Sequence, residues 1–196
     1  MIKVSYMTKL AALAAIVLIM AFTPAGYLRT PAVEVSFLAI PVAVGAIVLG
    51  PAAGAILGGV FGATSFAQCF GSSPFGAALL AINPFFTFIS CMIPRILMGW
   101  LAGVIFGALY RIDSTKTWSY AVGSLSAAVL NTVFFIGGFI LLFGNSEFVR
   151  GLQGGTPILA FIAGMVGLQG VVEAVVCCVA GGAVCKAAQI FSKQSV

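Results

Sequence analysis

Residues 85–110 read FFTFISCMIPRILMGWLAGVIFGALY, an apolar stretch whose single charge, Arg95, lies near its middle. At 1.5 Å per helical residue, the guanidinium is expected at least about 15 Å from either end of the helix that this stretch predicts. An arginine at the centre of a membrane span costs about 2.5–3.5 kcal/mol even on lenient insertion scales. Another intramembrane charge, a water-filled cavity or an anionic ligand must therefore compensate Arg95.

The composition of the whole chain agrees with a membrane location. Of its 196 residues, 62% are hydrophobic and 7% are charged, whereas a soluble domain carries about 25% charged residues. Five or six spans of about 20 residues fill a chain of this length, so we expect one membrane-embedded, all-α domain over residues 1–196. The nine lysines and arginines are scattered singly, which argues against nucleic-acid binding and indicates topology signals.

Apolar runs predict six membrane spans in this chain. They cover about residues 8–24, 37–49, 52–68, 84–110, 118–143 and 157–189. The pair Gly50-Pro51 separates the second run from the third and predicts a tight turn between two helices, with a single kinked helix as the alternative. The polar stretches 23–36 and 69–83, and the glycine-rich stretch 144–155, predict loops on the outside.

The basic residues decide the orientation of these spans. With six spans, both termini and the loop 111–116 lie on one side. That side then carries Lys3, Lys9, Arg111, Lys116, Lys186 and Lys193, and the opposite side carries Arg29 and Arg150. The positive-inside rule favours this arrangement. The sequence therefore predicts a six-transmembrane-helix bundle with both termini in the cytoplasm, N-in/C-in.

Small residues recur at helical spacing on three of the spans. They are Ala11 and Ala15 on the first span, Gly50, Gly54, Gly58 and Gly62 along the third, and Gly99, Gly103 and Gly107 along the fourth. Such stripes let helix backbones approach closely. We interpret the glycine stripes as packing faces, and the alanine pair as a face for another helix.

Three polar residues fall at one depth on three different spans. Arg95, Asn131 and Glu173 all lie near mid-membrane, where ionisable groups are functional-site hypotheses by default. Their common depth predicts a ligand site in which Arg95 and Asn131 face the ligand. The alternative is a structural ion pair of Arg95 with Glu173, with Asn131 bonding between helices. Weaker candidates, for which helix packing or loop capping is an equal explanation, are Gln169, Gln68 and Asn83.

Several kinds of chemistry are excluded by the residues that the chain lacks. It has no histidine, and Asp113 is its sole aspartate, so it holds no catalytic triad, no histidine-ligated metal and no paired-aspartate site. No G-x-x-x-x-G-K-[ST] motif occurs, and the five cysteines form no C-x-x-C pair. We therefore expect no enzyme, no metal site and no cofactor bound by this chain, and any active transport must use a gradient or a partner.

A series of short motifs extends from Ala11 to Glu173. They are Ile40-Pro41 with Gly45, Leu49-Gly50-Pro51, Gly54-Ala55, Gly58, Phe61-Gly62, Pro94-Arg95-Ile96-Leu97-Met98-Gly99 and Asn131-Thr132. Together these motifs resemble the S components of energy-coupling factor (ECF) vitamin transporters, and most of all the pantothenate-specific members. The resemblance implies a six-helix membrane subunit that binds a vitamin with high affinity.

The resemblance also implies partners and a transport cycle. An S component docks on a transmembrane T component and two cytoplasmic ATPases, which hydrolyse ATP, in a prokaryotic plasma membrane. Ala11 and Ala15 match the alanine pair through which S components meet the T component. Substrate is captured from outside under the loops 23–36 and 69–83, and the subunit then topples in the membrane to release it inside.

The substrate remains open between an anion and a neutral vitamin. Pantothenate is an anion at neutral pH, and Arg95 offers a forked guanidinium for its carboxylate, while Asn131 would bond its amide or hydroxyls. Glu173 would repel an anion unless it lies behind Arg95 as an orienting partner. A neutral pyridoxine-like or pyrimidine compound fits equally well between Arg95 and Glu173. A solitary carrier or channel without an ATPase partner is the alternative from another class.

Overall fold

The computed structural model describes residues 4–23, 26–29, 34–113 and 118–187, most of which are helical. In chain order the elements are α1 (Val4–Phe22), β1 (Tyr27–Arg29), β2 (Glu34–Ser36), α2 (Ala39–Leu49), α3 (Pro51–Gln68), α4 (Pro74–Ile82), α5 (Pro84–Ile112), α6 (Trp118–Phe143), α7 (Glu147–Gln153) and α8 (Ile158–Val176). A π-helical turn, Cys177–Gly181, follows α8, and helix resumes to residue 187. The predicted helical class is therefore confirmed, apart from one small ribbon.

Four helices in the described part of the chain are long and apolar enough to cross a membrane. They are Val4–Phe22, Pro84–Ile112, Trp118–Phe143 and Gly170–Ala187. Helix α2 is apolar but has 11 residues, which extend over roughly 16 Å of a hydrocarbon core about 30 Å thick. A helical, multi-pass membrane protein is thus confirmed, while the six-span count and the N-in/C-in orientation stay predictions.

Gly50 turns the chain between α2 and α3, as a hairpin of two helices requires. Its φ is +99°, a conformation that glycine adopts without a steric penalty. Pro51 begins α3, at a position where its missing N–H has no helical partner to lose. The two helices pack side by side, because a Cβ placed on Gly45 would overlap the side chain of Leu57. The alternative of one kinked helix is therefore wrong.

Helices α3 and α5 pack with their backbones in contact. A Cβ on Gly54 would overlap the carbonyl group of Gly99, and a Cβ on Gly58 would overlap the carbonyl group of Arg95. These two contacts step one turn along each helix in opposite directions, so the helices are antiparallel. The prediction that the two glycine stripes are packing faces is confirmed, and α3 fixes the backbone position of Arg95.

The apolar core lies where α1, α2, α3, α5, α6 and the last helix meet. Four of these helices each contribute an almost completely buried side chain to this core, namely Val17, Phe61, Met98 and Ala127. Because lipid chains are as apolar as these side chains, close packing rather than removal from water stabilises such a core.

The stretch 69–83 is mostly helix α4 rather than a loop, so the loop prediction was wrong there. Ser73 caps the first turn by accepting a hydrogen bond from the N–H of Gly76, and Pro74 occupies the first helical position. A capping serine followed by proline is a local signal for a helix start, but the glycine and serines before it favoured a loop. Helix α7 also begins after a capping serine, Ser146, which lies within the predicted loop 144–155 and accepts a hydrogen bond from the N–H of Val149.

The stretch 23–36 holds a two-stranded antiparallel ribbon. Leu28 pairs with Val35, and Arg29 pairs with Glu34. Strand β2 packs against α8, so this segment connects the start of the bundle with its last helix. The predicted absence of helix in this stretch is confirmed for its described residues.

The predicted sixth span, residues 157–189, is a broken helix. The backbone leaves helical angles at Gly167, and the π-helical turn Cys177–Gly181 interrupts it again. The apolar part that is long enough to cross a membrane runs from Gly170 to Ala187. Single π-helical turns are frequent at functional sites, and this one begins one helical turn after Glu173.

A pair of adjacent glycines tests the contact between α3 and α5. Gly58→Ala should destabilise the protein by about 1–3 kcal/mol, because the new Cβ would overlap the Arg95 carbonyl and overpack the interface. Gly59→Ala is the matched control, since its Cβ would lie 3.8 Å from the side chain of Ile96. That variant should be neutral or stabilising, as alanine is the better helix former. Thermal unfolding in detergent measures both variants, and equal melting temperatures would contradict the backbone contact.

Candidate functional site

Pro94 leaves a backbone carbonyl oxygen of α5 free to accept a hydrogen bond from Arg95. Proline has no N–H, so the carbonyl oxygen of Ser90, four residues earlier, loses its helical donor. Nη1 of Arg95 donates to that oxygen at 2.6 Å. A charged donor therefore satisfies the freed acceptor, and the side chain of Arg95, 8% exposed, stays inside the bundle.

Two aromatic rings from neighbouring helices flank the guanidinium. Cζ of Arg95 lies 5.6 Å from the ring centroid of Phe61 on α3 and 4.6 Å from that of Phe135 on α6. Desolvated cation–π interactions contribute about 2 kcal/mol, which is comparable with the insertion cost of a central arginine. The bundle itself therefore compensates part of the buried charge.

Glu173 supplies a negative charge to the same region. It is 3% exposed, and its carboxylate interacts electrostatically with the guanidinium of Arg95. Oε1 of Glu173 and Nε of Arg95 have no hydrogen-bond partner among the residues that the structure describes. The two predicted mid-membrane charges thus lie in one region, with hydrogen-bonding capacity left over on both side chains.

Asn131 lies on α6 at the level of Glu173. The last helix packs against α6 with Gly181 against the hydroxyl of Ser124. Two helical turns from that contact, along each helix, Asn131 and Glu173 reach the same level. Phe135 is one turn further along α6, on the same face as Asn131, and its ring flanks Arg95. The predicted common depth of the three polar residues therefore agrees with the register of the helices.

We refer to these residues together as the central cluster. It consists of Phe61, Ser90, Arg95, Asn131, Phe135 and Glu173. Within the described segments, four of its buried polar atoms lack partners, namely Oγ of Ser90, Nε of Arg95, Oδ1 of Asn131 and Oε1 of Glu173. An unpaired buried polar group costs about 1–3 kcal/mol. A small molecule with an anionic or accepting group for Arg95, and hydroxyl or N–H donors for Oδ1 of Asn131 and Oε1 of Glu173, would remove three of these costs.

Two of the weaker candidates have bonds to helix ends. Nε2 of Gln68 donates to the carbonyl oxygen of Ala21 at 2.6 Å and ties α3 to the end of α1. Oδ1 of Asn83 accepts two backbone N–H bonds from the first turn of α5. Both side chains therefore have a structural role, and their role in binding stays a prediction. The side chain of Gln169 lies outside the described part of the structure.

The candidate docking residues lie on an open face of α1. Ala11 and Ala15 are both exposed, and the face continues through Val4, Thr8 and Phe22, which are exposed as well. In the middle of this face, the two alanines present only methyl groups. Another helix can therefore approach α1 closely there.

Sequence reasoning missed three members of the central cluster. The role of Ser90 was predictable from the sequence, because Ser90 lies four residues before Pro94 and its carbonyl oxygen must lose a helical donor. Phe135 lies four residues after Asn131, so a shared face was predictable. Phe61 gave no such signal, since only the packing of α3 on α5 brings its ring to Arg95.

The chain matches a known family over most of its length. The family model for the ECF transporter, substrate-specific component, matches residues 5–180. The chain therefore belongs to the substrate-specific (S) components of ECF transporters, which confirms the resemblance of its motifs. It is a multi-pass transport protein of the prokaryotic cell membrane.

One relative of this chain carries a substrate in its name. The chain is 32% identical over 138 residues to the pantothenate transporter PanT of Leuconostoc mesenteroides subsp. mesenteroides. The similar region covers 67% of this chain and 66% of the relative. The chain thus spans just under two-thirds of the relative's length.

A double-mutant cycle tests the contact between Phe135 and the guanidinium. Phe135→Leu should destabilise the protein when Arg95 is present, and the coupling with Arg95→Met should be about 0.5–2 kcal/mol. Phe134→Leu is the matched control, because adjacent helical residues point about 100° apart. Chemical or thermal unfolding in detergent gives the four free energies of each cycle. Equal coupling in the two cycles would remove Phe135 from the central cluster.

Proposed function

We propose that this protein is the high-affinity substrate-binding S component of an ATP-driven ECF transporter for pantothenate. The observation that carries the proposal is the buried guanidinium of Arg95, which retains an unpartnered N–H, while Oδ1 of Asn131 and Oε1 of Glu173 in the same cluster are unpartnered as well among the described residues. The name of the relative in Leuconostoc supports the same substrate. The protein would take the vitamin from outside and deliver it to the cytoplasm, together with a T component and two ATPases.

Pantothenate carries the groups that the central cluster requires. Its carboxylate is ionised at neutral pH, and a guanidinium binds carboxylates through two parallel N–H bonds. Its hydroxyls and amide N–H are donors that suit Oδ1 of Asn131 and Oε1 of Glu173. The rings of Phe61 and Phe135 keep this region apolar at its sides, which strengthens each polar interaction.

Removing the guanidinium should weaken pantothenate binding strongly. We expect Arg95→Ala to lower the affinity at least about tenfold, which corresponds to about 1.4 kcal/mol, because the carboxylate loses its charged donor. Calorimetric titration of the purified protein measures the affinity, with thermal unfolding as the check on folding. Arg150→Ala is the control, since this exposed arginine lies on α7, and it should bind normally. Unchanged affinity in folded Arg95→Ala would leave Arg95 a structural residue.

A neutral vitamin is the second candidate, and Glu173 is the observation that favours it. The carboxylate already interacts with the guanidinium, so the two charges balance without a ligand charge. A pyridoxine-like or pyrimidine ring with one donor edge and one acceptor edge would bridge them. Titration with pyridoxine beside pantothenate separates the two candidates.

We propose the exposed face of α1 as the docking surface for the T component. Ala11 and Ala15 lie in its middle, where a partner helix can reach the backbone of α1. The ATPases would act through this contact, since the chain holds no phosphate-binding motif of its own. A solitary carrier would need no such surface.

Filling this face should separate binding from transport. Ala11→Trp combined with Ala15→Trp should abolish pantothenate uptake by cells that also express the T component and ATPases, because indole rings block helix contact. Pantothenate binding to the purified double variant should stay intact. Ala12→Trp with Ile16→Trp is the matched control, since these exposed residues lie about 100° around the helix. Uptake that persists in the first variant would favour a solitary carrier.

A further inference from the structure

Glu173 stands in an unusual electrostatic position for a protein that binds an anion. Its carboxylate is 3% exposed, interacts electrostatically with Arg95, and keeps Oε1 without a partner in the described part of the chain. One positive charge therefore faces one negative charge in the central cluster. A ligand carboxylate at Arg95 would bring a second negative charge into the same buried region.

The other groups around Glu173 offer no further cation within the described side chains. Cys177 interacts with the carboxylate from the next turn of the same helix, and Cys178 follows it. Helix α6 faces it at the level of Asn131, and residues 118–143 contain no acidic or basic residue. Strand β2 also packs against α8. It contains Glu34, opposite Arg29, and the side chains of both lie outside the described set.

We infer that binding of an anionic ligand at Arg95 transfers one proton from solvent to the carboxylate of Glu173. This inference rests on the proposed function, because it needs a ligand that carries a negative charge. Two carboxylates that share one buried cation cannot both remain ionised at low cost. Uptake of the proton keeps the charge of the cluster unchanged when the anion enters.

The protonated state also changes what Glu173 can do as a hydrogen-bonding group. An ionised carboxylate only accepts, whereas a neutral carboxyl group has one O–H donor. Oδ1 of Asn131 is an acceptor without a partner among the described residues, and it lies at the level of Glu173. A neutral Glu173 therefore gives the cluster both a donor and an acceptor beside Arg95.

Proton uptake on binding fixes the sign of a pH dependence. Since the complex binds one more proton than the free protein, the affinity for an anion must rise as pH falls. For a single proton the dissociation constant changes by at most about tenfold per pH unit. A neutral ligand at the same site brings no charge and should bind with no such dependence.

Calorimetry in two buffers of different ionisation enthalpy measures this proton directly. Pantothenate is titrated into wild-type protein between about pH 6 and 8.5, and the difference in heat should correspond to as much as about one proton taken up per ligand. Pantothenol, the neutral alcohol analogue, should bind without proton uptake. Glu173→Gln should abolish the uptake for pantothenate and bind it more tightly than wild type at high pH. Glu147→Gln, the same change at an exposed residue of α7, should behave as wild type.

The possible failures are distinguishable. Pantothenate binding without proton uptake, or uptake that persists in Glu173→Gln, would overturn this inference and leave the proposed function intact. Tight binding of pantothenol with no binding of pantothenate would overturn the anion site, and with it both proposals. The wild-type titration needs no variant, so poor folding of Glu173→Gln leaves the central result readable.

Discussion

The contact between the backbones of α3 and α5 is the constraint on which the site depends. Because Gly58 has no side chain, the carbonyl group of Arg95 can lie directly against α3. Phe61, on the next turn of α3, then reaches the guanidinium. Pro94 frees the carbonyl oxygen that receives Nη1. The position of the buried charge is thus set by two backbone features and one aromatic ring before α6 or the last helix contributes any contact.

The central cluster leaves several buried polar atoms without hydrogen-bond partners in the described segments, and that is what makes it a candidate binding site. A cluster in which every donor and acceptor is satisfied would be a structural core. Here Nη1 of Arg95 is bonded and the guanidinium is flanked by aromatic rings, but Nε of Arg95 and three oxygens of the cluster are unpartnered in the described segments. Buried polar groups that are only partly satisfied are costly. A ligand that pairs with them removes this cost and gains affinity as a result.

Much of the fold was predictable from local signals, and the failures have physical causes. Long apolar runs gave α1, α5 and α6 correctly, because in lipid the length of such a run is itself the constraint. Helices α4 and α7 were missed because their lengths, nine and seven residues, are too short for hydropathy to outweigh glycine and serine around them. The break at Gly167 was missed because glycines are common in spanning helices.

The site was predictable in its charges and less so in its apolar members. Arg95, Asn131 and Glu173 stand out in an apolar chain, and counting residues from the span ends gave their common depth. Phe61 is one of seventeen phenylalanines, so nothing in its local sequence distinguishes it. Its role follows from the register between α3 and α5, a relation between distant segments that no single stretch contains.

The order in which the chain is synthesised determines when each partner of Arg95 becomes available. When α5 leaves the ribosome, Ser90 and Phe61 already exist, whereas Phe135 and Glu173 do not. When α5 enters the bilayer, two partners of the guanidinium are therefore present: a carbonyl oxygen of its own backbone and one aromatic ring of an earlier helix. The later helix that carries Glu173 adds the negative charge, so a chain that stalls before it keeps an incompletely compensated cation in the membrane.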